Sequence, residues 1–452
     1  MVNPAVPRGD SNALTRRVFL GTCLASMSTI ACGQPAAEPI RPEEFGARGN
    51  GAQDDAPAFA AAFAAASATG RPITLRNGAR YVLGAAGWPG LRSPSGLTIE
   101  GNHATLIIAA LPAQGLAAGI GNSAIRVDGG RVTVKNAKFE LSRLKVMALA
   151  LDRCDIHIEG CAFDGGDRYH HSAGLYLTRC SGLIRNNSGR DSGYLFYCGH
   201  TDAGMGSHNL RIADNRAFDL QADFVVGVIR DSVIENNECD GMFGGIGLAA
   251  LAQTGVFCEN VTIQGNTFSG FRAQGIQTDV WGETRDRNII VRDNVLRRGA
   301  PTSSGIYMLR INGFEVTGNR IESCDLGIVV DAATDGVVRS NVIVAGGEHR
   351  TRAIGMVAAN GDIRRIRILD NEGRGFHDGM MIEGQRGFTI SDVEISGNRF
   401  ADGQFGIRST VGLNGVAVRD NAFRGNRQRD LEGSQGIVAG TNRHEDGGQT
   451  RR

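Results

Sequence analysis

Three basic side chains suited to acid–base chemistry recur at the same point of three consecutive sequence units. Arg179, His200 and Arg230 each lie near the end of a short apolar strand, and Asp202 follows the histidine closely. Removing a proton beside a sugar carboxylate needs a cation on that carboxylate and a base for the proton. We therefore predict Arg179 and Arg230 as the cations and His200 as the base, next to Asp202. The alternative is a surface arginine ladder paired with acidic side chains.

A second set of residues is suited to holding and cleaving a sugar chain. Asp279 and Asp331 occupy the same outward strand position two units apart, which the strand spacing converts to about 9.6 Å. That separation borders the range of inverting glycosidases. Trp281 and Tyr307 lie close enough to stack on sugar faces. The predicted substrate-binding residues are Tyr176, Asp279, Trp281, Tyr307, Arg310 and Asp331.

The strands that carry these candidates open with a recurring glycine. About ten residues after each repeat asparagine comes Gly-apolar-x-apolar. The first and third residues after the glycine should point into the core and the second outward. We expect the site in the loops that follow these strands, the longest being 199–208 and 281–287. His170 and His171 precede such a strand, and we expect them on a neighbouring edge. The glycines are Gly174, Gly245, Gly275, Gly305, Gly327, Gly379 and Gly406.

One pattern recurs from residue 97 onward: apolar, polar, apolar, two polar residues, Asn, any residue, apolar. From Asn187 to Asn421, nine steps cover 234 residues, a mean of 26. A period in the twenties indicates a solenoid, and the two-residue alternation excludes helical repeats. We predict an all-β, right-handed parallel β-helix of about a dozen coils. The repeat asparagines are Asn102, Asn187, Asn215, Asn237, Asn266, Asn294, Asn319, Asn341, Asn371, Asn398 and Asn421.

The repeat asparagines are interpreted as structural. An asparagine at a fixed turn can adopt the left-handed conformation and bond the backbone one coil away, which builds a ladder. Ala137 and Cys161 take the asparagine's place in two early units. Cys154 and Cys180 lie 26 residues apart, one coil, so they should stack. Their state stays open between a disulfide and two buried thiols.

The first segment has the pattern of an export signal. Thr15-Arg16-Arg17-Val18-Phe19-Leu20 fits the twin-arginine motif, and the apolar run to Ala31 is too short to span a bilayer. We predict a signal peptide over 1–33, with the twin-arginine translocon as a partner during export, and a periplasmic or envelope location. Two cleavage sites remain possible. In the first, the signal ends in a lipobox and Cys32 carries a lipid, which is the single membrane attachment that we expect. In the second, cleavage after Gly33 releases the protein.

A capping segment precedes the repeats. Phe45 to Asp55 reads Phe-Gly-Ala-Arg-Gly-Asn-Gly-Ala-Gln-Asp-Asp, and Asp55 can cap a helix over 56–68 that ends before Gly70. Short strands are expected over 71–75 and 80–83. The predicted organisation is a signal at 1–33, a tether at 34–44, the cap at 45–96, the β-helix at 97–440 and a frayed tail at 441–452.

This entry segment resembles that of the pectate-lyase superfamily, with Asn50 in place of the usual Asp. The signal and repeats together look like a family of twin-arginine-translocated β-helix repeat proteins whose activity is uncharacterised. The resemblance implies fold and address, and places polysaccharide sites of related architectures in the groove beside the Gly-apolar strand. Polygalacturonase motifs and the Asp-Pro-His-Asp signature of mannuronan epimerases are missing, which counts against those reactions.

The amino-acid composition limits the classes of partner that we expect for this chain. The chain has 64 glycines in 452 residues, and its 48 basic and 47 acidic side chains give a net charge of +1. Because the charges nearly cancel, the protein has no strong positive electrostatic field that would attract nucleic acid. We therefore predict no nucleic-acid partner. The cysteines lack metal-ligand spacing and no nucleotide or Ca²⁺ motif is present, so we predict no cofactor and no metal.

Two functions remain. The first is an exported β-helix that binds an acidic polysaccharide, with lyase, epimerase or hydrolase chemistry as the forms that processing would take. The second is a non-catalytic structural or adhesive protein of the cell envelope. Convergent polar groups in a cleft would favour the first, and an apolar groove would favour the second. The apolar residues in question are Val225, Gly247, Ala249, Val329 and Val438.

Overall fold

Short strands follow one another along the chain, and each pairs in parallel with strands one coil before and one coil after. The computed structural model describes residues 38–85, 88–113, 122–167, 172–199, 206–249, 255–279, 285–346, 351–433 and 437–445. Within these residues the molecule is a right-handed parallel β-helix with one α-helix near its N-terminal end. The predicted fold is confirmed.

The strands form three rows along the solenoid axis. The glycine row contains Leu91–Ser93, Ala173–Thr178, Tyr194–Cys198, Val225–Gly227, Ile246–Leu248, Gln274–Gln277, Ser304–Leu309, Leu326–Asp331, Arg352–Ala358, Asp378–Gly384, Phe405–Ser409 and Arg429–Glu432. The second row contains Ile73–Thr74, Leu97–Glu100, Ser181–Arg185, Ser207–His208, Leu210–Ala213, Ile229–Glu235, Glu259–Gln264, Asp286–Arg292, Ile311–Thr317, Thr334–Arg339, Ile363–Leu369, Ile390–Ser396, Asn414–Arg419 and Ile437–Ala439. Two long strands, Asn122–Lys135 and Val146–Glu159, bend across both rows.

The third row is a 16-stranded sheet. Its strands are Asn50–Asp54, Arg80–Leu83, Thr105–Ile108, Lys138–Glu140, Ala162–Asp164, Ser188–Arg190, Arg216–Phe218, Glu238–Met242, Thr267–Phe271, Val295–Arg297, Arg320–Glu322, Val342–Val344, Glu372–Arg374, Arg399–Ala401, Ala422–Arg424 and Arg443–His444.

The core is filled by side chains that point inward from all three rows. On the glycine row, Ile276, Ile306 and Ile328 stack one coil above another and are fully buried. The residues after them, such as Gln277 and Tyr307, lie on the opposite side and are partly exposed. We call this outward side the glycine face. The predicted alternation of the row is confirmed.

The glycine that opens these strands lies at a crowded corner of the coil. A Cβ atom at Gly305 would meet the Ile321 side chain at 2.7 Å and the Gly327 carbonyl oxygen at 2.9 Å. Real Cβ atoms do not approach neighbours that closely, so any larger residue would displace the next coil. The recurrence of glycine in the sequence therefore reflects packing between coils.

A helix over Ala56–Thr69 covers the N-terminal end of the solenoid. Asp55 precedes it as predicted, but its carboxylate does not cap the helix. It accepts hydrogen bonds from the backbone N–H groups of Arg48 at 2.7 Å and Gly49 at 3.2 Å, which fixes the preceding turn. Gly70 ends the helix in the left-handed region with φ of 68°.

The folded unit begins before the predicted boundary at residue 45. Ile40 is buried and pairs with Ile73, and a 3-10 helix follows over Pro42–Phe45. The last residues of the predicted tether are thus packed structure. The predicted signal at 1–33, with Cys32, lies outside the described residues. In the part of the chain that is described, no helix has the length and apolar character to cross a membrane.

A column of buried asparagines runs along the turn between the second and third rows. Oδ1 of Asn319 accepts from the backbone N–H and the side-chain Nδ2 of Asn294, both at 3.0 Å. The same Nδ2 donates to the carbonyl of Ile263 one coil earlier, at 3.0 Å. The predicted ladder is confirmed, and it extends one coil further, to Asn442.

Two details of the predicted ladder were wrong. The left-handed residue is the one before each ladder asparagine, such as Asp293 with φ of 56°. This leaves the asparagine free to face the coil interior. Asn102 is not a ladder member, because two left-handed residues, Asn102 and His103, lengthen that turn and bring Ala104 to the ladder position.

The cysteines are buried thiols in the described structure. Cys161 occupies the ladder position as predicted, and its N–H donates to Oδ1 of Asn187 at 2.9 Å. Cys154 and Cys180 are free thiols that stack one coil apart. A hydrogen bond between them lowers the pKa of the Cys154 thiol and raises the pKa of the Cys180 thiol.

Candidate functional site

The two predicted arginine cations have separate partners in the structure. Arg179 forms a two-point ion pair with Asp152, in which Nε lies 2.9 Å from a carboxylate oxygen. Arg230 donates from Nε to the carbonyl of Phe257 at 3.1 Å and stacks over its ring at 4.6 Å. Arg287 lies over the same ring at 4.4 Å. His200 and Asp202, the predicted base and its neighbour, lie outside the described residues.

Four of the predicted substrate-binding residues come together on the glycine face. Asp331 accepts hydrogen bonds from the Tyr307 hydroxyl at 3.1 Å and from the backbone N–H of Asn360 at 3.1 Å. Arg310 donates to Asp279 at 3.2 Å and to Oδ1 of Asn360 at 3.1 Å. Asn360, which sequence reasoning missed, joins the two halves of this cluster.

The two carboxylates of this cluster are not open to a ligand. Asp279 and Asp331 are both 0% exposed. An inverting glycosidase needs room for a water molecule between its carboxyl groups, and protein donors occupy these. Tyr307 and Arg310 remain partly exposed and available for contact with a sugar. Trp281, predicted beside them, lies outside the described residues.

Asp286 supports this cluster from below. Its carboxylate accepts from the backbone N–H of Cys258 at 2.8 Å and of Asp279 at 2.9 Å. The side chain is 0% exposed, and burial raises the pKa of Asp286 to about 7. Nothing in the sequence marks this aspartate, because its role depends on the coil that covers it.

Tyr176 belongs to a different part of the glycine face. Its ring stacks on Tyr197 with centroids 5.5 Å apart, and Tyr194 meets Tyr197 edge-on at 5.2 Å. Met147 and Ala173 pack against these rings in an apolar cluster that is separate from the core. Tyr176 is only 9% exposed, so little of its ring is available to a ligand.

Another group of convergent polar side chains lies further along the same row. A cleft of about 630 Å³ opens at the turns that precede five successive strands of the glycine row. Its volume lies within the range of small-molecule sites. We call it the arginine cleft; its central residues are Arg352, His377, Asp378, Glu383, Arg408 and Arg427.

Two crossed ion pairs form the floor of the arginine cleft. Arg408 donates to Oδ2 of Asp378 at 3.0 Å, and Arg352 pairs with Glu383 on the next coil. Arg352 lies along the position of the missing side chain at Gly355, where a Cβ would meet Arg352 Cδ at 2.8 Å. The glycine therefore gives Arg352 the path by which it reaches Glu383.

An imidazole–carboxylate pair stands at one wall of the arginine cleft. Nδ1 of His377 lies 3.3 Å from Oδ1 of Asp378, whose side chain is only 2% exposed. The His377 side chain is 47% exposed, and its ring packs on Phe405 at 5.6 Å. Arg408 lies over the same phenyl ring at 4.8 Å. Asp378 thus faces an imidazole with one oxygen and accepts a hydrogen bond from a guanidinium with the other.

Several polar atoms of the cleft are buried without a hydrogen bond. They are Oδ1 of Asp378, Nε of Arg352 and Nε of Arg408. Unsatisfied buried polar atoms are rare in proteins, and a bound polar ligand is one way of satisfying them. Arg427 at the rim is exposed, and no ion pair joins it to any side chain in the described part of the chain. The cleft therefore has one guanidinium available for an anionic ligand.

Sequence reasoning missed the arginine cleft because we expected the site in loops after the glycine-row strands. The cleft lies at the turns before them. His377 and Asp378 directly precede Gly379, which marks one of these strands. The sequence also has His170 and His171 shortly before Gly174, and both lie outside the described residues. A histidine next to an acidic residue at this turn was the available signal.

The sequence matches the family model described as "Periplasmic copper-binding protein (NosD)" over residues 154–344, 245–374 and 284–442. The overlapping matches together cover 154–442, more than half of the chain. Such overlap is typical of a repeat, because successive coils fit the same model. No curated protein matches the sequence.

Three solved structures are similar to this chain at low sequence identity. A double mutant of the tailspike protein of E. coli bacteriophage HK620 is 12% identical, covers 89% of this chain and 80% of that chain, and has a TM-score of 0.52. The A-module of the Azotobacter vinelandii mannuronan C-5 epimerase AlgE4 is 18% identical, covering 90% and 99%, with a TM-score of 0.43. The catalytic unit of an α-1,3-glucanase from Streptomyces thermodiastaticus is 13% identical, covering 94% and 73%, with a TM-score of 0.48. The tailspike similarity shows a shared fold.

The copper named in the family description does not fit the residues described. Among them, no group of three or more His, Cys, Asp or Glu side chains is arranged to hold a metal ion. Copper prefers cysteine, methionine and histidine ligands. The described cysteine and methionine side chains are buried, and His377 and His444 each face a carboxylate.

Proposed function

We propose that this chain, which belongs to the NosD family, is an exported protein that binds an acidic polysaccharide in the arginine cleft. The observation that carries the proposal is the convergence of three arginines and a histidine in one open cleft on a strand face. Two of the arginines are held by carboxylates and one, Arg427, is available. An anionic sugar supplies the counter-charge that Arg427 lacks.

The rest of the glycine face supports a polymer as the ligand. Tyr307 lies on the strand Ser304–Leu309 and Arg310 directly follows it, three coils before His377 and on the same face. At about 4.8 Å per coil, they stand roughly 14 Å from His377 along the axis. A chain of several sugars that occupies the cleft can therefore reach them, whereas a monosaccharide cannot.

Export is part of the proposal. The family description places its members in the periplasm. The twin-arginine signal at 1–33, the passage through the translocon and the lipid on Cys32 are proposed from the sequence. A polysaccharide of the envelope or the surroundings would meet the protein in that compartment.

The structural or adhesive alternative finds less support. An apolar groove without convergent polar groups would have favoured this alternative. Val225 and Ala249 are buried in the core and do not line a groove. The polar groups of the cleft converge on a single opening.

Binding measurements test the proposal. Wild-type protein without its signal is titrated calorimetrically with polygalacturonate and alginate, and with neutral dextran for comparison. We expect binding of an acidic polymer and none of dextran. Arg427→Ala should weaken binding about tenfold or more, the contribution of one charge-assisted hydrogen bond.

The matched control is Arg131→Ala. Arg131 is an exposed arginine on an early coil, and its side chain pairs with Asp155 at 3.1 Å. Its removal changes net charge by the same amount as removal of Arg427 and should leave affinity unchanged. Equal weakening by both variants would show a non-specific charge effect and would refute the assignment to the cleft.

A further inference from the structure

We propose that the arginine cleft is catalytic, with His377 as the base that removes the proton beside a uronate carboxylate and so cleaves the chain by β-elimination. This inference rests on the proposed function and deepens it. It assigns a reaction to residues outside the set selected from the sequence.

The position of Asp378 points to His377 as the base. A carboxylate near Nδ1 holds an imidazole in one orientation and one tautomer, which leaves Nε2 free to accept a proton. Here Nδ1 and Oδ1 are 3.3 Å apart, an ion-pair distance without hydrogen-bond geometry, and Oδ1 accepts no hydrogen bond from any described residue. Catalytic hydrogen bonds are often long before the substrate binds. Arg408 fixes the second oxygen of Asp378, so the carboxylate cannot turn away.

Two of the three other acidic groups of the cleft are occupied. Glu383 is paired with Arg352. Asp325 accepts from the Thr351 hydroxyl at 2.7 Å and from its backbone N–H at 3.0 Å. Asp402 lies at the exposed rim. Hydrolysis by two carboxyl groups needs one free acid and one free base. Asp402 is the one carboxyl group of the cleft lining without a described partner, so this mechanism lacks its second carboxyl group. His377, next to Asp378, is then the group suited to proton transfer.

Elimination is the reaction that one proton-transferring group can complete. Arg427 pairs with the substrate carboxylate and stabilises the negative charge that develops on it. The C5 proton moves to Nε2 of His377, its electron pair forms the C4=C5 double bond, and the C4–O bond breaks. The proton then passes from His377 to the leaving oxygen. The step balances without water or an oxidant, and epimerisation would need a second proton donor on the opposite face.

Phe405 has the role of a positioning residue. Its ring contacts both the His377 imidazole and the Arg408 guanidinium, at 5.6 and 4.8 Å. It thereby keeps the base and the guanidinium that fixes Asp378 against one rigid surface. Phe405 is 6% exposed, so it does not compete for the ligand itself.

The test uses the full mature chain and follows the ultraviolet absorbance of the new double bond with polygalacturonate, polymannuronate and polyguluronate. Wild-type protein should form unsaturated ends from one of them. His377→Ala should lower kcat by about 100-fold or more with little change in binding. Added imidazole should restore part of that activity, which a purely structural role of His377 would not allow. Asp378→Asn should lower kcat more than it raises KM.

His157→Ala is the matched control. His157 also faces a carboxylate, with Nε2 2.9 Å from Glu159, but lies on the second row away from the cleft. It should keep full activity. Binding of a uronate polymer without any unsaturated product from wild-type protein would overturn this inference and leave the proposed function intact. No binding of any of the polymers would overturn both. An active His377→Ala variant would overturn the assignment of the base.

Discussion

Oδ1 of Asn294 accepts two hydrogen bonds from Asn266, one from the backbone N–H and one from the side-chain amide, both at 2.9 Å. A single oxygen atom therefore satisfies two buried donors of the preceding coil. The same relationship repeats at each step of the ladder, so the asparagine column joins the coils in a continuous chain of hydrogen bonds.

Asn294→Ala should destabilise the solenoid by about 1–3 kcal/mol, because two donors of Asn266 lose their buried acceptor. The free energy of unfolding from denaturant titration measures this loss. Asn312→Ala is the control, since Asn312 is exposed and, among the described residues, its side chain has one hydrogen bond, accepted from the Thr334 hydroxyl at 2.9 Å. If the Asn294 variant unfolds at the same denaturant concentration as wild type, the ladder does not stabilise the fold.

Asp286 should make the protein less stable as pH rises from about 4 to about 7. Burial raises the pKa of Asp286 from 3.8 to about 7. Between these values the folded protein binds more protons than the unfolded chain, so the contribution of this group is largest near pH 4 and declines up to pH 7. Asp286→Asn should flatten the fall in unfolding free energy over that range.

Two comparisons sharpen the pH measurement. Burial raises the pKa of Asp223 to about 7 as well, so the double variant with Asp223→Asn should flatten the profile further. Asp335→Asn should leave it unchanged, because a hydrogen bond from Arg365 lowers the pKa of Asp335. A slope in the Asp286 variant as steep as in wild type would contradict the prediction.

Gly355→Ala should weaken glycan binding by displacing Arg352. The new Cβ would meet Arg352 Cδ at 2.8 Å, so the side chain must leave its path to Glu383. Calorimetry with the acidic polymer should show an affinity loss of several-fold to about tenfold. Gly412→Ala is the control, because nothing lies within 4 Å of its added Cβ. Equal affinities of the two variants would exclude a role for Arg352.

Replacement of Arg16 and Arg17 by lysine should keep the precursor in the cytoplasm, because the twin-arginine pathway reads the paired guanidinium groups as an address. Cell fractionation with an antibody against the mature chain measures the distribution. Lysine for Arg41, an arginine beyond the predicted signal, is the control with the same chemical change. Normal periplasmic delivery of the double-lysine precursor would refute twin-arginine export.

The sequence alone determined the solenoid, its row of glycine-led strands and its asparagine ladder. These features depend on backbone geometry that repeats every coil, so the alternation of two and the recurring Asn266, Asn294 and Asn319 suffice to predict them. The turn that carries the ladder was less predictable. Whether Asn102 or Ala104 faces the interior depends on how many residues the turn accommodates, and side-chain pattern alone does not report that.

The arginine cleft was decided by the tertiary structure. His377, Glu383 and Arg427 come from separate strands and turns, and their proximity depends on the exact length of each coil. The partner of each arginine depends on local free space as well, since Arg352 reaches Glu383 only across Gly355. Likewise Asp279 and Asp331 have the predicted register, but neighbouring loops bury both carboxylates and supply their donors. The spacing of residues in the sequence specifies which of them share a row of strands. Which of those side chains remain open to a ligand depends on their burial and on the neighbouring side chains that can bond to them.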